Sequence, residues 1–257
     1  RHMKLALYQG PAISGATEEA FACIRTQLNG AAAAGARMLV MPELFLPGYN
    51  QPEMHGSLSQ PRGGAWETRL AALAHEAGCG LTIGWAEREG DRVYNAATAF
   101  GPDGAVLGHY RKIQLFGPME AASFVPGDAY CTFEFGGMKA ALLICYDVEF
   151  APHVRALAKL GVSLVLVPTA NPAGFDHVQN YTVPGRAAEM GLTIVYANYC
   201  GTDAGLPFGG RSLIAGPLGD ALVSAGRGEA LLVADLGVLD DLPKAALSTQ
   251  LTDYREL

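Results

Sequence analysis

One pattern, written twice, narrows the folds open to this chain more than any other feature. Gly35-Ala-Arg-Met-Leu-Val-Met-Pro42 and Gly161-Val-Ser-Leu-Val-Leu-Val-Pro168 each follow a helical segment, run as a buried apolar strand and close on proline. Repetition of that unit predicts two similar halves packed as one sandwich, with their post-strand loops gathered on a shared rim. In α/β sheets such rims, outside the carboxyl ends of the strands, carry the ligand site.

The rest of the chain reads in the same terms. Lys4 to Tyr8 opens as a strand, and 17–34 follows as a helix with Thr17 as N-cap and Phe21, Ile24 and Leu28 on one face. Gly35 stops it. After Pro42 a stretch rich in Gly, Pro and polar residues reads as loop to about residue 64, then a second helix covers 65–77 and ends at Gly78. Leu81–Glu87, Val93–Phe100 and Ala105–Tyr110, the last two joined at Pro102-Asp103-Gly104, have the look of paired strands. Strands alternating with helices, then strands in pairs, predict a layered α/β fold. No Pro- or Ser-rich linker interrupts the sequence, so residues 3–257 are read as one domain. Arg1 and His2 are read as a cloning remnant before a natural start at Met3, and residues from about 237 as a C-terminal tail able to dock on a neighbouring subunit.

Composition removes several classes of function. Lys and Arg number 18 against 25 Asp and Glu, a net charge of −7, and no basic run exists to track a phosphate backbone. No apolar run approaches the ~20 residues a bilayer requires. The start lacks the apolar core of a signal peptide. The five cysteines, at 23, 79, 131, 145 and 200, form no CxxC pair, which suits reduced thiols in a cytoplasmic protein. GxSxG, P-loop, HExxH and strand–GxGxxG–helix motifs are all missing, and the six histidines show no metal-ligand spacing. Neither a metal nor a cofactor is expected. His109, His153 and His177 could serve a Cys–His hydrolase, but no Asn or Asp spacing supports one.

Three segments carry the chemistry. Leu142-Leu143-Ile144-Cys145 runs an apolar strand into a cysteine, with a helix beginning just after it. A thiol there faces the positive end of a helix, which predicts a pKa below the usual ~8.5, although most free cysteines are simply small buried hydrophobes. Glu43, just past a buried strand, is placed to have a raised pKa, as a general base should; the plainer reading is a capping or surface Glu. Lys112 ends another strand among apolar neighbours, where a snorkelling lysine is the plainer reading. Together Cys, Glu and Lys form a coherent set of nucleophile, base and oxyanion stabiliser.

At these residues the sequence resembles the nitrilase superfamily of carbon–nitrogen hydrolases. The matching motifs are Pro42-Glu43 with Phe45-Leu46-Pro47-Gly48-Tyr49, Tyr110-Arg111-Lys112 and Cys145-Tyr146-Asp147-Val148-Glu149-Phe150. The resemblance continues through Val167-Pro168-Thr169-Ala170-Asn171 and Gly185-Arg186-Ala187-Ala188-Glu189 to Ala197-Asn198. It implies a four-layer αββα sandwich and a Glu43–Lys112–Cys145 triad, with Glu120, eight residues past Lys112, as a second glutamate near the thiol. It implies that Glu43 takes the thiol proton, that Lys112 and the Tyr146 N–H hold the oxyanion, and that Glu120 positions the amide or Lys112. Asn171 and Tyr49 are candidates to line the pocket, and turn formation and loop packing are their plainer readings. Ala151-Pro152 and Met190 depart from the family's common Pro-Glu and Asn, away from the triad.

Leu5-Ala6-Leu7-Tyr8-Gln9-Gly10, Leu115-Phe116-Gly117 and Tyr196-Ala197-Asn198-Tyr199-Cys200-Gly201 look most like the aliphatic amidase branch, which includes 5-aminopentanamidase. The expected partners are a small amide, water and, by resemblance, a second copy of the chain in a homodimer or larger homo-oligomer. A nitrilase or N-carbamoyl hydrolase with the same triad, and an inactive scaffold member, are the alternatives.

Overall fold

The repeated strands become the centres of two sheets. In the computed structural model, which describes residues 3–257, the first half forms strand β1 (Lys4–Gln9), helix α1 (Thr17–Ala33), β2 (Ala36–Val40), α2 (Pro52–Leu58), α3 (Ala65–Ala77), β3 (Gly80–Glu89), β4 (Arg92–Phe100), β5 (Val106–Arg111) and α4 (Gly117–Ser123). The second half forms β6 (Thr132–Phe135), β7 (Met138–Leu142), α5 (Ala151–Lys159), β8 (Leu164–Pro168), α6 (Val183–Met190) and β9 (Thr193–Ala197). A hairpin of β10 (Thr202–Asp203) and β11 (Leu206–Pro207), then β12 (Leu213–Ala215), β13 (Ala221–Ser224), β14 (Ala230–Asp235) and α7 (Gln250–Asp253) complete the chain. Arg1 and His2, read as a cloning remnant, lie outside the described residues.

One six-stranded sheet runs β14-β1-β2-β3-β4-β5 and the other β13-β12-β9-β8-β7-β6. The apolar strands β2 and β8 are equivalent: each is the middle of three parallel strands, β1-β2-β3 and β7-β8-β9. β8 is buried throughout and β2 everywhere but Arg37, as strands covered on both faces must be. Leu5, Leu7, Met38, Val40, Ala97 and Ala99 of the first sheet share one apolar cluster with Ala140, Leu142, Leu164 and Leu166 of the second. On the far side of the second sheet the same cluster takes in Val154 and Leu157 of α5 and Val183 and Ala187 of α6. The apolar stripes of α1 (Phe21, Ile24, Leu28) and α3 (Leu70, Leu73) cover the outer face of the first sheet. The layers are therefore αββα.

Two local readings change. Thr17 is the first helical residue and not the cap; Ala16 holds the cap position and no side chain caps it. Residues 52–58, read as loop, form α2, with Pro52 in the first turn where its missing N–H costs nothing. In the stretch from about residue 237, Leu251 lies against the core and the Arg155 guanidinium of α5 sits 4.4 Å over the Tyr254 ring. Gly78, by contrast, ends α3 in the left-handed conformation that the sequence calls for. Among the described residues no helix is long and apolar enough to cross a membrane.

Candidate active site

Glu43 sits where β2 runs out onto the rim, and both halves of the fold grip it. Met41 N–H donates to Thr82 O at 2.8 Å and Gly84 N–H to Pro42 O at 3.2 Å, which lays the loop along β3. The approach is so close that a Cβ on Gly84 would meet Leu44 N at 2.4 Å and Glu43 Cα at 2.7 Å. From the second half, Thr169 O accepts the Glu43 N–H at 3.3 Å, and the Tyr199 hydroxyl donates to Glu43 O at 2.6 Å. The next residue, Leu44, is held at φ 48°, a left-handed conformation that costs a non-glycine residue roughly 1–3 kcal/mol.

Lys112 follows directly on β5, pinned by its N–H to Asn95 O at 2.8 Å and by Gly127 N–H to its carbonyl at 2.7 Å. Its ammonium donates to Glu43 Oε1 at 2.6 Å and to Glu120 Oε1 at 2.7 Å, with all three side chains fully buried. Asn95 Nδ2 adds a 2.7 Å bond to Glu43 Oε1, and the Tyr49 hydroxyl a 2.7 Å bond to Glu120 Oε2. Glu43 Oε2 is left with no partner among the described residues. Burial pushes the Glu43 carboxyl up to about 7, with Lys112 pulling down and Glu120 pushing up. Burial alone would depress Lys112, but the two carboxylates outweigh it and hold the ammonium above the ordinary lysine range.

Cys145 opens a 3₁₀ turn, Cys145–Glu149, between β7 and α5. Asp147 ties that turn down: its carboxylate accepts Ile144 N–H at 3.0 Å, Gln114 N–H at 2.7 Å and the Tyr110 hydroxyl at 2.6 Å. Cys145 itself has φ 44°. Two non-glycine residues in left-handed backbone, one beside Glu43 and one at the thiol, put stored strain where side chains converge. The expected fall in the thiol's pKa is reversed. Burial pushes it well above the usual value and the Glu43 carboxylate adds to this; Lys112 and the Ala170 N–H pull it back without prevailing. A five-residue 3₁₀ turn offers too little dipole to offset desolvation.

Cys145 is 7% exposed and lines a cavity of about 210 Å³ together with Phe116, Tyr146, Glu149, Asn171, Phe175 and His177. Of the residues expected at the site, the fold brings Glu43, Lys112, Glu120 and Tyr49 into one hydrogen-bonded cluster, and Tyr146 and Asn171 onto the cavity wall. Tyr49 does not line that cavity; its hydroxyl is occupied by Glu120. The Asn171 amide donates to Phe175 O at 3.1 Å and Gln179 Oε1 at 2.8 Å, which shapes the wall. Asn95 and Asp147 are the members that reading the sequence passed over. Asp147 stood in the quoted Cys145-Tyr146-Asp147 triplet, whereas a single polar residue inside β4 gave no signal. Among the described residues no group of three or more His, Cys, Asp or Glu could hold a metal ion.

An αββα sandwich that gathers a thiol, a carboxylate and an ammonium into one dry site is the build of a hydrolytic enzyme. The chain belongs to the carbon-nitrogen hydrolase family, whose model matches residues 4–239, and it is a hydrolase acting on carbon–nitrogen bonds. Curated relatives include "Hydrolase in pqqF 5'region" of Pseudomonas protegens, 38% identical over 98% of this chain and 89% of that protein. Another is an (R)-stereoselective amidase of Pseudomonas sp, 35% identical over 95% of this chain and 88% of that protein. Among solved structures, a double mutant of the amidase from Nesterenkonia sp. AN1 in complex with acrylamide superposes with a TM-score of 0.90 at 36% identity, covering 99% of this chain and 94% of that one. The same amidase, from the nitrilase superfamily, has also been solved with butyramide.

The Gly84 contact yields a prediction. Gly84→Ala should leave the protein folded, because only the rim must give way, but it should displace Glu43 and lower kcat/KM at least about 100-fold, as ångström-scale misplacement does. Circular dichroism and steady-state kinetics on one sample check it; wild-type activity would mean that the loop yields without cost.

Proposed function

We propose that the chain is an amidase that hydrolyses short aliphatic amides to the carboxylic acid and ammonia through a thioester on Cys145. The observation that carries this reading is the buried Glu43–Lys112–Glu120 cluster beside the thiol, with Glu43 Oε2 unpartnered. The acrylamide and butyramide complexes of the Nesterenkonia amidase support the substrate class.

On this reading Glu43 accepts the thiol proton as Cys145 Sγ attacks the amide carbon. Lys112 and the Tyr146 N–H, in the first turn of a helix where main-chain donors lack helical partners, receive the oxyanion. The carbon–nitrogen bond breaks as Glu43 returns the proton to the departing ammonia. Water then attacks the thioester, again delivering a proton to Glu43, and the acid leaves as the thiol is re-formed. One base serves both half-reactions because they mirror each other. Glu120, fixed by Tyr49, holds Lys112 in place throughout.

Cys145→Ala should lower kcat on a short amide by roughly 10⁴-fold or more, and hydroxylamine should divert the wild-type thioester to a hydroxamate. Retained activity in the alanine variant would sink the assignment, and absence of ammonia release from every short amide would leave the inactive-scaffold alternative standing. With an uncharged amide, kcat/KM should rise between pH 6 and 8 with an apparent pKa near 7. Protonated Glu43 cannot take the thiol proton, so activity is lost as pH falls through that value. A profile flat from pH 5 to 8 would contradict this role. Donors aimed at an oxygen favour an amide over a nitrile, whose first adduct is a thioimidate. Propionamide should therefore exceed propionitrile in kcat/KM by at least about tenfold, roughly 1.4 kcal/mol in barrier. A faster nitrile would overturn the branch assignment while sparing the triad.

A further inference from the structure

The end of β5 carries four polar side chains in a row, and only two of them face the thiol's side of the sheet. Tyr110 reaches Asp147, and Lys112, just past the strand, reaches Glu43 and Glu120. His109 and Arg111 alternate with them and face the other way, which removes His109 as a partner for Cys145. There they meet Glu87 of β3, a fully buried carboxylate that the proposed chemistry does not use. The His109 Nε2–H donates to Glu87 Oε1, and the Arg111 Nε–H donates to Oε2 at 2.6 Å.

Glu87 reaches β5 from two strands away. β4 lies between, and on this face it presents Tyr94, Ala96 and Thr98. Ala96 offers only a methyl group, which leaves the carboxylate room to pass. Its neighbours close the sides: the Arg111 guanidinium lies 3.8 Å over the Tyr94 ring, and Thr98 Oγ1 accepts the Trp85 indole N–H at 2.9 Å and stands 2.8 Å from His109 Nδ1. An ionised carboxylate only accepts, so the His109 proton sits on Nε2 and Nδ1 accepts from the Thr98 hydroxyl. Burial holds the imidazole below the ordinary histidine pKa. Burial alone would raise the Glu87 carboxyl, but His109 and Arg111 together hold it below the ordinary glutamate range. Arg62, the other cation near His109, is taken by Glu67 at 2.7 Å, and Arg111 also lies 3.3 Å from the exposed Glu89. β5 is moreover the edge of its sheet, with ladder bonds to β4 alone. A strand held on one side is free to shift unless its side chains fix its register, and any shift would carry Lys112 with it.

We infer that Glu87 is a positioning residue for Lys112: by gripping His109 and Arg111 on the outer face, it fixes where β5 sets the ammonium between Glu43 and Glu120. This rests on the amidase reading above and adds a residue on which that reaction depends. The test is kcat, KM and the pH profile of kcat/KM for propionamide in wild type, Glu87→Gln and Arg111→Lys. Glu87→Gln keeps the side chain's shape and removes the charge that holds both partners. It should lower kcat at least about tenfold while KM changes less than about threefold. The acid limb of its profile should move upward by roughly half a pH unit or more, because Glu43 loses the ammonium that draws its pKa down. The direction is diagnostic: deleting an anion acts through space to lower the pKa of Glu43, whereas displacing Lys112 raises it. Arg111→Lys preserves the charge but not the planar fork, and should move kcat and the acid limb in the same sense by less. An acid limb that stays or falls in Glu87→Gln, an unchanged kcat or a loss confined to KM overturns the inference, while wild-type turnover upholds the amidase reading. A wild type that hydrolyses no short amide removes both. Should Glu87→Gln fail to fold, Arg111→Lys decides on the same readouts.

Discussion

Everything at the rim depends on one ammonium shared by two carboxylates in the dry interior. Removing three charged groups from water costs several kcal/mol per ion, and only close geometry recovers it. The protein supplies that geometry from four separate elements: the loop after β2 for Glu43, the end of β5 for Lys112, α4 for Glu120 and β4 for Asn95. None can move without unpairing a buried charge, a loss of about 3–5 kcal/mol. The cluster thus fixes the relation between the first sheet and its rim loops, and Glu43's bonds to Thr169 O and Tyr199 carry that relation to the second half.

The second half answers with a device of its own. Asp147 gathers two main-chain donors and one phenol onto a single buried carboxylate, closing the chain into the tight turn that puts Cys145 at positive φ. Tyr110 lies two residues before Lys112, so the strand that delivers the ammonium also braces the thiol's turn. The two halves therefore cross-support: Tyr199 of the second holds Glu43, and Tyr110 of the first holds Asp147.

How far the sequence reveals this follows the range of the interactions involved. The helix over 65–77 and its stop at Gly78 are local matters of period and backbone freedom, and they are legible to the residue. The β2 and β8 strands are legible because burial on both faces leaves apolar side chains everywhere but at the exposed Arg37. By contrast α2, written in Pro, Gly and polar residues, reads as loop, since its helicity owes more to packing than to propensity. The thiol's pKa came out reversed because dipole and strand position are visible in sequence whereas desolvation is a property of the assembled site. Asn95 is invisible for the same reason: its partner Glu43 is 52 residues away and meets it only across the folded sheet.

The high pKa of the thiol and the near-neutral one of Glu43 belong together. Before attack on the proposed route, the buried cluster holds an ionised Glu43, the Lys112 ammonium and an ionised Glu120, a net charge of minus one beside a neutral thiol. After attack Glu43 is protonated, the substrate oxygen carries the negative charge, and the sum is unchanged. Lys112 exchanges one anionic partner for another while Glu120 keeps hold of it. A preformed thiolate would instead add a second uncompensated charge to a fully buried site, at a desolvation cost that nothing there repays. Proton transfer to Glu43 in step with attack avoids that state. A base whose pKa lies near neutrality is what such a transfer requires, since it can take the proton and give it back with little loss either way. On the proposed route the pair of carboxylates around one lysine is thus a means of moving a negative charge from enzyme to substrate without ever creating a new one in the dry interior.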